Sequence, residues 1–187
     1  QENTGRSGKG NAVKRALKMV DGDFTLLMDA DNSVSVRDIL GKIALTKEAD
    51  VVILSRYKGS NGIPFVRRII SRGFNQLLHI FLKLDISDTQ SGYKIISTKR
   101  FKEAMSKVSV TNTFFDVALL YYLQKSGSSI VETDVSYQHN YGSTFHPIGL
   151  VIGLGVSLLA FIIRRSKFYD KIPKSLVSLY YRKFRWI

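Results

Sequence analysis

Two carboxylates stand two residues apart in Asp29-Ala30-Asp31, just beyond the compact apolar run Phe24 to Met28. Such a run reads as a buried strand, and open α/β sheets bind ligands beyond the carboxyl ends of their strands. Alternation along an extended chain puts both carboxylates on one side of Ala30. Two hard oxygen donors in that place suit Mg2+ or Mn2+, which bind one or two carboxylates together with substrate phosphates. Ser33 adds a hydroxyl that could reach the ion or hold a water on it. Taken out of context, Asp31-Asn32-Ser33 would be an ordinary cap between strand and helix, so the preceding strand carries the assignment.

A second apolar run, Asp50 to Ser55, delivers Arg56 to the same kind of edge. Arg67, Arg68 and Arg72 follow on the first turns of a long helix beginning near Pro64. Arg67 and Ser71 are four apart and share a face, whereas Arg68 reads as solvated. Guanidinium groups pair bidentately with phosphate, so arginines beside a carboxylate-held metal suit a phosphorylated ligand. The polar turn Asp88-Thr89-Gln90-Ser91-Gly92-Tyr93 joins a helix to a strand, a natural place for a catalytic or orienting carboxylate. By composition alone it is an Asx-turn. Asp116, in Phe114-Phe115-Asp116, either caps the helix that follows or reaches the site, and taken alone it reads as the cap. The glycine-rich stretch Gly5 to Asn11 is not a Walker loop: Asn3 stands where its first glycine is required, and Gly10 where Ser or Thr is required.

Strands able to hold these groups are expected at 24–28, 50–55, 93–96 and 130–138. Helices are expected after the glycine-rich loop, from Ser35 or Asp38, over 64–83, from a Thr98 cap to Lys107, and over 115–125. Strands alternating with helices, the first two apolar on both faces, predict an α/β fold with a mostly parallel sheet covered by helices. A boundary near His146-Pro147 separates residues 1–145 from a basic, apolar segment at 146–187.

The chain has 187 residues and no cysteine, which excludes a disulfide framework, thiolate-held metals and a thiol nucleophile. Its three histidines lack metal-ligand spacing, which argues against a histidine zinc site. A net charge of +13 implies an anionic partner. The last 47 residues carry +7 of it among Leu, Ile, Tyr and Phe, which suits a membrane surface better than a nucleic-acid groove. Ile148 to Ile163 is free of charge but shorter than the roughly 20 residues that span a bilayer core. Core helix, interfacial helix and short tilted span are all open for it. Residues 174–187 suit a helix lying in an interface.

Six stretches in order carry a resemblance: Asn3 with Gly8-Lys9-Gly10-Asn11-Ala12, Met28-Asp29-Ala30-Asp31, Ser55-Arg56-Tyr57, Ser71-Arg72 with Asn75, Asp88-Thr89-Gln90-Ser91-Gly92-Tyr93-Lys94, and Phe115-Asp116-Val117. Together they resemble the family 2 glycosyltransferases that load sugars onto polyprenyl phosphates, the dolichyl-phosphate glucosyl- and mannosyltransferases and their undecaprenyl counterparts. The resemblance covers residues 1 to about 145. It implies a GT-A, Rossmann-like fold and an inverting, metal-dependent transfer of a glucose- or mannose-class sugar from a UDP- or GDP-linked donor. Lys9, Asp29, Asp31 and Gln90 would bind the nucleotide-sugar, with Asp29, Asp31 and Ser33 at the metal. Arg56, Arg67, Ser71 and Arg72 would hold the acceptor phosphate. Asp88 and Arg56 would be catalytic, Asp88 as base or orienting group. The segment after 145 would lie on the membrane, at its cytoplasmic face.

The resemblance also has departures. The family's opening strand–helix–strand unit has no counterpart here, which leads us to expect a fragment of a longer chain with an open, apolar sheet edge. Ala118 stands where the glucosyltransferase branch usually has Glu, and His139 to Ser143 lacks Arg or Lys. Two rivals follow from the residues: a nucleotidyltransferase of similar architecture, and a basic nucleic-acid-binding module. No nucleic-acid motif supports the latter, so nucleic acid is not an expected partner.

Overall fold

The computed structural model describes residues 8–57, 65–137 and 147–167, with Tyr169 and Ser175. Four strands form one sheet among them: β1 (Phe24–Leu27), β2 (Val51–Ser55), β3 (Lys94–Ser97) and β4 (Ile130–Asp134), in the order β1-β3-β2-β4. The α-helices among the described residues are α1 (Gly8–Ala16), α2 (Val36–Gly41), α3 (Phe65–Leu82), α4 (Thr98–Lys107), α5 (Phe115–Lys125) and α6 (Pro147–Arg165).

The sheet is mixed, which corrects the mostly parallel expectation. β3 is antiparallel to both β1 and β2, and β4 is parallel to β2. The three strands β1, β2 and β4 therefore point one way, and β3 enters from the edge at which they end. The carboxyl ends of β1 and β2 and the amino end of β3 meet there, so Asp29, Arg56 and the 88–93 turn share one rim.

β2 is buried along its whole length, as its Val-Val-Ile-Leu run requires. β1 behaves differently. It forms a sheet edge, and Phe24, Leu26 and Met28 are each about two-fifths exposed. Helix α5 is the central support: eight of its eleven residues are buried, and their neighbours include Leu78 of α3 and Met105 of α4. At roughly 1.5–3 kcal/mol for each large apolar side chain buried, this packing fixes the start of α5 firmly against the sheet. Ala118 lies fully buried in that core.

Two local expectations also change. Helix α1 begins at Gly8, inside the stretch expected to be a loop. Gly10 explains the early start: its N–H donates to the Thr111 carbonyl at 3.1 Å, and a Cβ there would lie 2.7 Å from the Val110 oxygen. Only glycine lets the helix press so closely on the 110–111 segment. Thr98 is the first residue of α4 rather than its cap, and its hydroxyl pairs with that of Thr25 at 2.8 Å. Ser35 does cap α2, accepting from the Asp38 N–H at 3.1 Å.

Helix α6 docks onto the sheet-and-helix core through one face. Leu154, Leu158 and Phe161 join the main core, and Ser157 pairs with Asn112 at 3.0 Å. Phe161 packs at 5.4 Å against Phe114 and Tyr121, and the Arg165 guanidinium lies 4.1 Å from the Tyr121 ring centre. Its other face leaves Val151, Ile152, Leu159 and Ile163 exposed. Among the described residues no helix is long and apolar enough to cross a membrane. The His139–Ser143 loop and the interface-lying helix expected at 174–187 fall outside the described residues, Ser175 apart.

Candidate active site

Asp29 sits just beyond β1 with its side chain 45% exposed, and its Oδ1 accepts from the Lys9 ammonium at 3.2 Å. Gly92 is what gives this carboxylate room, since a Cβ on it would lie 1.7 Å from Asp29 Oδ2. Asp31 Oδ1 accepts from the Tyr93 hydroxyl at 2.9 Å and from the Ser33 N–H at 3.1 Å. Asn32, in the left-handed region at φ 52°, makes the turn that folds Ser33 back; asparagine tolerates that conformation. Both acids of the pair therefore abut the 92–93 segment at the mouth of β3. Burial raises the Asp31 carboxyl, but the donors from Ser33 and Tyr93 outweigh it and hold the group below its ordinary value. The Tyr93 hydroxyl, withdrawn from water and bonded to Asp31, is pushed up to about 12.

Lys9 does more than touch Asp29. Its ammonium also donates to Asp116 Oδ2 at 2.9 Å, and Asp116 Oδ1 accepts from Lys94 at 2.9 Å. Lys94 is fully buried on the central strand and donates as well to the Ser91 carbonyl. Burial opposes the charge on all three groups. For Asp116 the two ammonium groups outweigh it and hold the carboxyl below the usual range. For Lys9 the two carboxylates outweigh it and raise the ammonium. For Lys94 burial wins, aided by Lys9, and lowers it. The expectation that Asp116 caps α5 is thereby corrected. Phe114 occupies the cap position with no side-chain bond, while Asp116 reaches into the rim.

Asp88 is fully buried and bound through both oxygens. Its Oδ2 accepts from the Arg56 N–H at 2.8 Å and Nε at 3.0 Å, and its Oδ1 from Nη2 at 2.7 Å. That carboxylate, outweighing the burial of Arg56, raises the guanidinium further still. The rings of Tyr57 and Tyr137 lie 5.7 and 5.9 Å from the Arg56 guanidinium. The turn carrying Asp88 is clamped from two sides. Glu132 of β4 accepts from the Ser87 and Asp88 N–H groups at 2.9–3.1 Å. Asn75 of α3 donates to the Ser87 carbonyl and accepts from the Thr89 hydroxyl at 2.7 Å. Ser91 ties the turn to β2 through the Leu54 carbonyl at 2.7 Å.

Lys9, Asp29, Asp31, Arg56 and Asp88 thus share one rim of the sheet. Ser71 is half-buried and stands one helical turn before Asn75, on the face that meets the Asp88 turn. Arg72 is exposed, and for Arg67 only its place in α3 is described. Ser33 is buried beside Asp31, and the buried Ser33 Oγ and Gln90 Nε2 find no hydrogen-bond partner among the described residues. Unsatisfied buried polar atoms at a rim of acids fit a polar ligand. Three residues here lacked a role from the sequence: Lys94, Asn75 and Glu132. Asn75 and Lys94 stand inside the six stretches, but Glu132 carries no local signal, since it acts on a turn 44 residues away.

The donor set suits a hard divalent cation: carboxylate oxygens at a strand end, one acid half-exposed, with lysine and arginine nearby for phosphate. Among the described residues no group of three or more acids or histidines forms a complete metal cage, so other oxygens would have to come from substrate and water.

A mixed sheet covered by helices, with the acidic rim beyond β1, is the GT-A-like architecture of known glycosyltransferase structures. Mannosyl-3-phosphoglycerate synthase from Rubrobacter xylanophilus superposes with a TM-score of 0.60 at 19% identity, over 89% of this chain and 53% of that one. Glucosyl-3-phosphoglycerate synthase from Mycobacterium tuberculosis, in complex with Mn2+, UDP-glucose and phosphoglyceric acid, gives 0.52 at 16% identity, over 83% and 55%. Residues 2–104 match the family model described as glycosyl transferase family 2, and the chain belongs to that family. Among curated relatives, the glycosyltransferase AglD of Haloferax volcanii is 27% identical over 158 residues, 82% of this chain and 25% of that protein. The dolichyl-phosphate beta-glucosyltransferase of Dictyostelium discoideum is 28% identical over 163 residues, 81% of this chain and 50% of that protein. The chain thus spans between a quarter and half the length of these two relatives.

Proposed function

We propose that the chain carries the metal, leaving-group and acceptor residues of a glycosyltransferase that moves a hexose from a nucleotide-sugar to a polyprenyl phosphate at a membrane surface, with inversion and with a divalent cation. One observation carries this reading: Asp29, Asp31, Lys9, Arg56 and Asp88 converge on one rim of the sheet, as a diphosphate donor and a phosphate acceptor together require. The dolichyl-phosphate glucosyltransferases among the relatives favour a glucose-class donor and a polyprenyl acceptor.

An acceptor phosphate oxygen attacks the anomeric carbon as the bond to the leaving diphosphate breaks, and the configuration inverts. Phosphate is already anionic near neutral pH, so the attack needs no strong base. Both oxygens of Asp88 are engaged by Arg56, which makes Asp88 the group that orients the guanidinium toward the acceptor rather than a proton acceptor. Asp29, Asp31 and Ser33 would hold Mg2+ or Mn2+, which when bound neutralises charge on the leaving diphosphate. Lys9 and Gln90 would complete the donor side, and Arg67, Ser71 and Arg72, all within α3, are the groups this reading gives to the acceptor phosphate. Exposed apolar stripes on the neighbouring helices α3 (Ile69, Leu77, Ile80, Phe81) and α6 (Ile152, Leu159, Ile163) supply a surface for lipid, and the basic chain favours an anionic, cytoplasmic leaflet.

The test is transfer by the complete gene product from radiolabelled UDP-glucose, UDP-galactose and GDP-mannose to polyprenyl phosphate, with 3-phosphoglycerate as a soluble competitor acceptor. The reading expects a lipid-extractable product of inverted configuration from one donor. Transfer to 3-phosphoglycerate alone, or pyrophosphate release from a nucleoside triphosphate, would contradict it.

A further inference from the structure

Lys94 is wholly buried, and its ammonium is held by Asp116 and the Ser91 carbonyl. Replacing a buried ion pair by apolar side chains is often neutral or stabilising, so a pair this deep calls for a positional reason. Asp116 supplies one, because it does not stop at Lys94. Its second oxygen holds Lys9, whose ammonium reaches on to Asp29 Oδ1. The four groups make an alternating row, from the buried Lys94 through Asp116 and Lys9 to the half-exposed Asp29. Gly10 fixes the near end by pressing α1 onto the 110–111 segment, and buried α5 fixes Asp116. Lys9 is the one cation of the row with solvent access, at 32% exposure, and it touches the carboxylate to which the proposed function gives the divalent ion. An ammonium and a divalent cation cannot share that oxygen without strong like-charge repulsion. An arriving diphosphate brings the counter-charge that could take the ammonium over.

We propose that Asp116, backed by Lys94, is a positioning residue for a cation exchange: Lys9 fills the place of the divalent ion on Asp29 while the site is empty, and pivots about Asp116 onto the donor's diphosphate when ion and nucleotide arrive. This rests on the metal and nucleotide-sugar reading above. It makes divalent-ion binding and nucleotide binding cooperative through one side chain, and that coupling is reciprocal.

The test is Mn2+ binding to the complete gene product, read from the electron paramagnetic resonance signal of free Mn2+, without nucleotide and with UDP or GDP. Lys9→Met is expected to bind Mn2+ about tenfold more tightly than wild type without nucleotide, because a competing cation is gone. It is expected to lose most of the tightening that the nucleotide confers. Lys14→Met removes the same charge from an exposed position of α1 and is expected to leave both values unchanged. The double variant Asp116→Asn/Lys94→Met keeps Lys9 but not its aim, and is expected to lose the nucleotide-dependent tightening, with its melting temperature reporting whether it is folded. Lys9→Met binding Mn2+ no more tightly than wild type, while Asp29→Asn has lost the ion, would overturn the exchange alone. Asp29→Asn binding Mn2+ as wild type does would overturn the metal assignment and the exchange with it.

Discussion

At the scale of single residues, two acids of the rim are each held at several points. Asp88 is held by Arg56 and by the clamp of Glu132 and Asn75 on its turn, and Asp31 by Tyr93 and the Ser33 N–H. Asp116 has a consequence for stability. Its folded carboxyl titrates below the ordinary 3.8, so its contribution is present above that value and is lost as pH falls through the folded one. Thermal unfolding of the complete gene product at pH 5 and pH 3 should therefore show a steeper acid loss in wild type than in Asp116→Asn/Lys94→Met. Equal losses would mean that Asp116 adds nothing to the acid limb. Asp29, Asp31 and Arg56 were legible in the sequence because each lies just beyond an apolar strand, whereas the Asp88 turn by itself reads as an Asx-turn and gained a site role only from the resemblance. The Lys94–Asp116 pair was not legible, because a helix-start aspartate reads first as a cap, and the lysine that claims it lies 22 residues earlier on a different element.

At the scale of elements, one strand direction decides the geometry of the site. β3 enters from the rim, and this brings the 88–93 turn against the end of β1. Apolar runs announced β1, β2 and β3 to within a residue or two but carry no sign of direction, which is why the sheet was expected to be mostly parallel. β4 ends at Asp134, earlier than its alternation suggested, though Tyr137 still bridges to Val34. Among the described residues β1 pairs on one side only, and its Phe24 and Leu26, with Met28 just beyond, are about two-fifths exposed. Unpaired apolar edges template association. Leu26→Lys in the 187-residue chain should therefore reduce self-association in sedimentation velocity, and unchanged association would locate the contact elsewhere.

At the scale of the whole molecule, charge and apolar surface divide the labour. The acids Asp29, Asp31 and Asp88 with Lys9 and Arg56 occupy the rim, while α3 and α6 expose apolar stripes and carry the bases Arg72 and Arg164, with Lys167 just beyond α6. The tail segment shows what hydropathy alone could not resolve. Its run of sixteen uncharged residues reads first as an interfacial helix, with a core helix and a short span also open, and α6 buries one face in the core while exposing the other. The central claim is transfer through a divalent ion held by Asp29 and Asp31, and the most direct measurement is the rate of sugar transfer to polyprenyl phosphate by the complete gene product with Mg2+ or Mn2+, compared with its Asp29→Asn and Asp31→Asn variants. The account predicts lipid-linked sugar from wild type, its loss on chelation, and at least about a hundredfold slower transfer in either variant. Wild-type rates in both variants, or transfer that survives chelation, would contradict it.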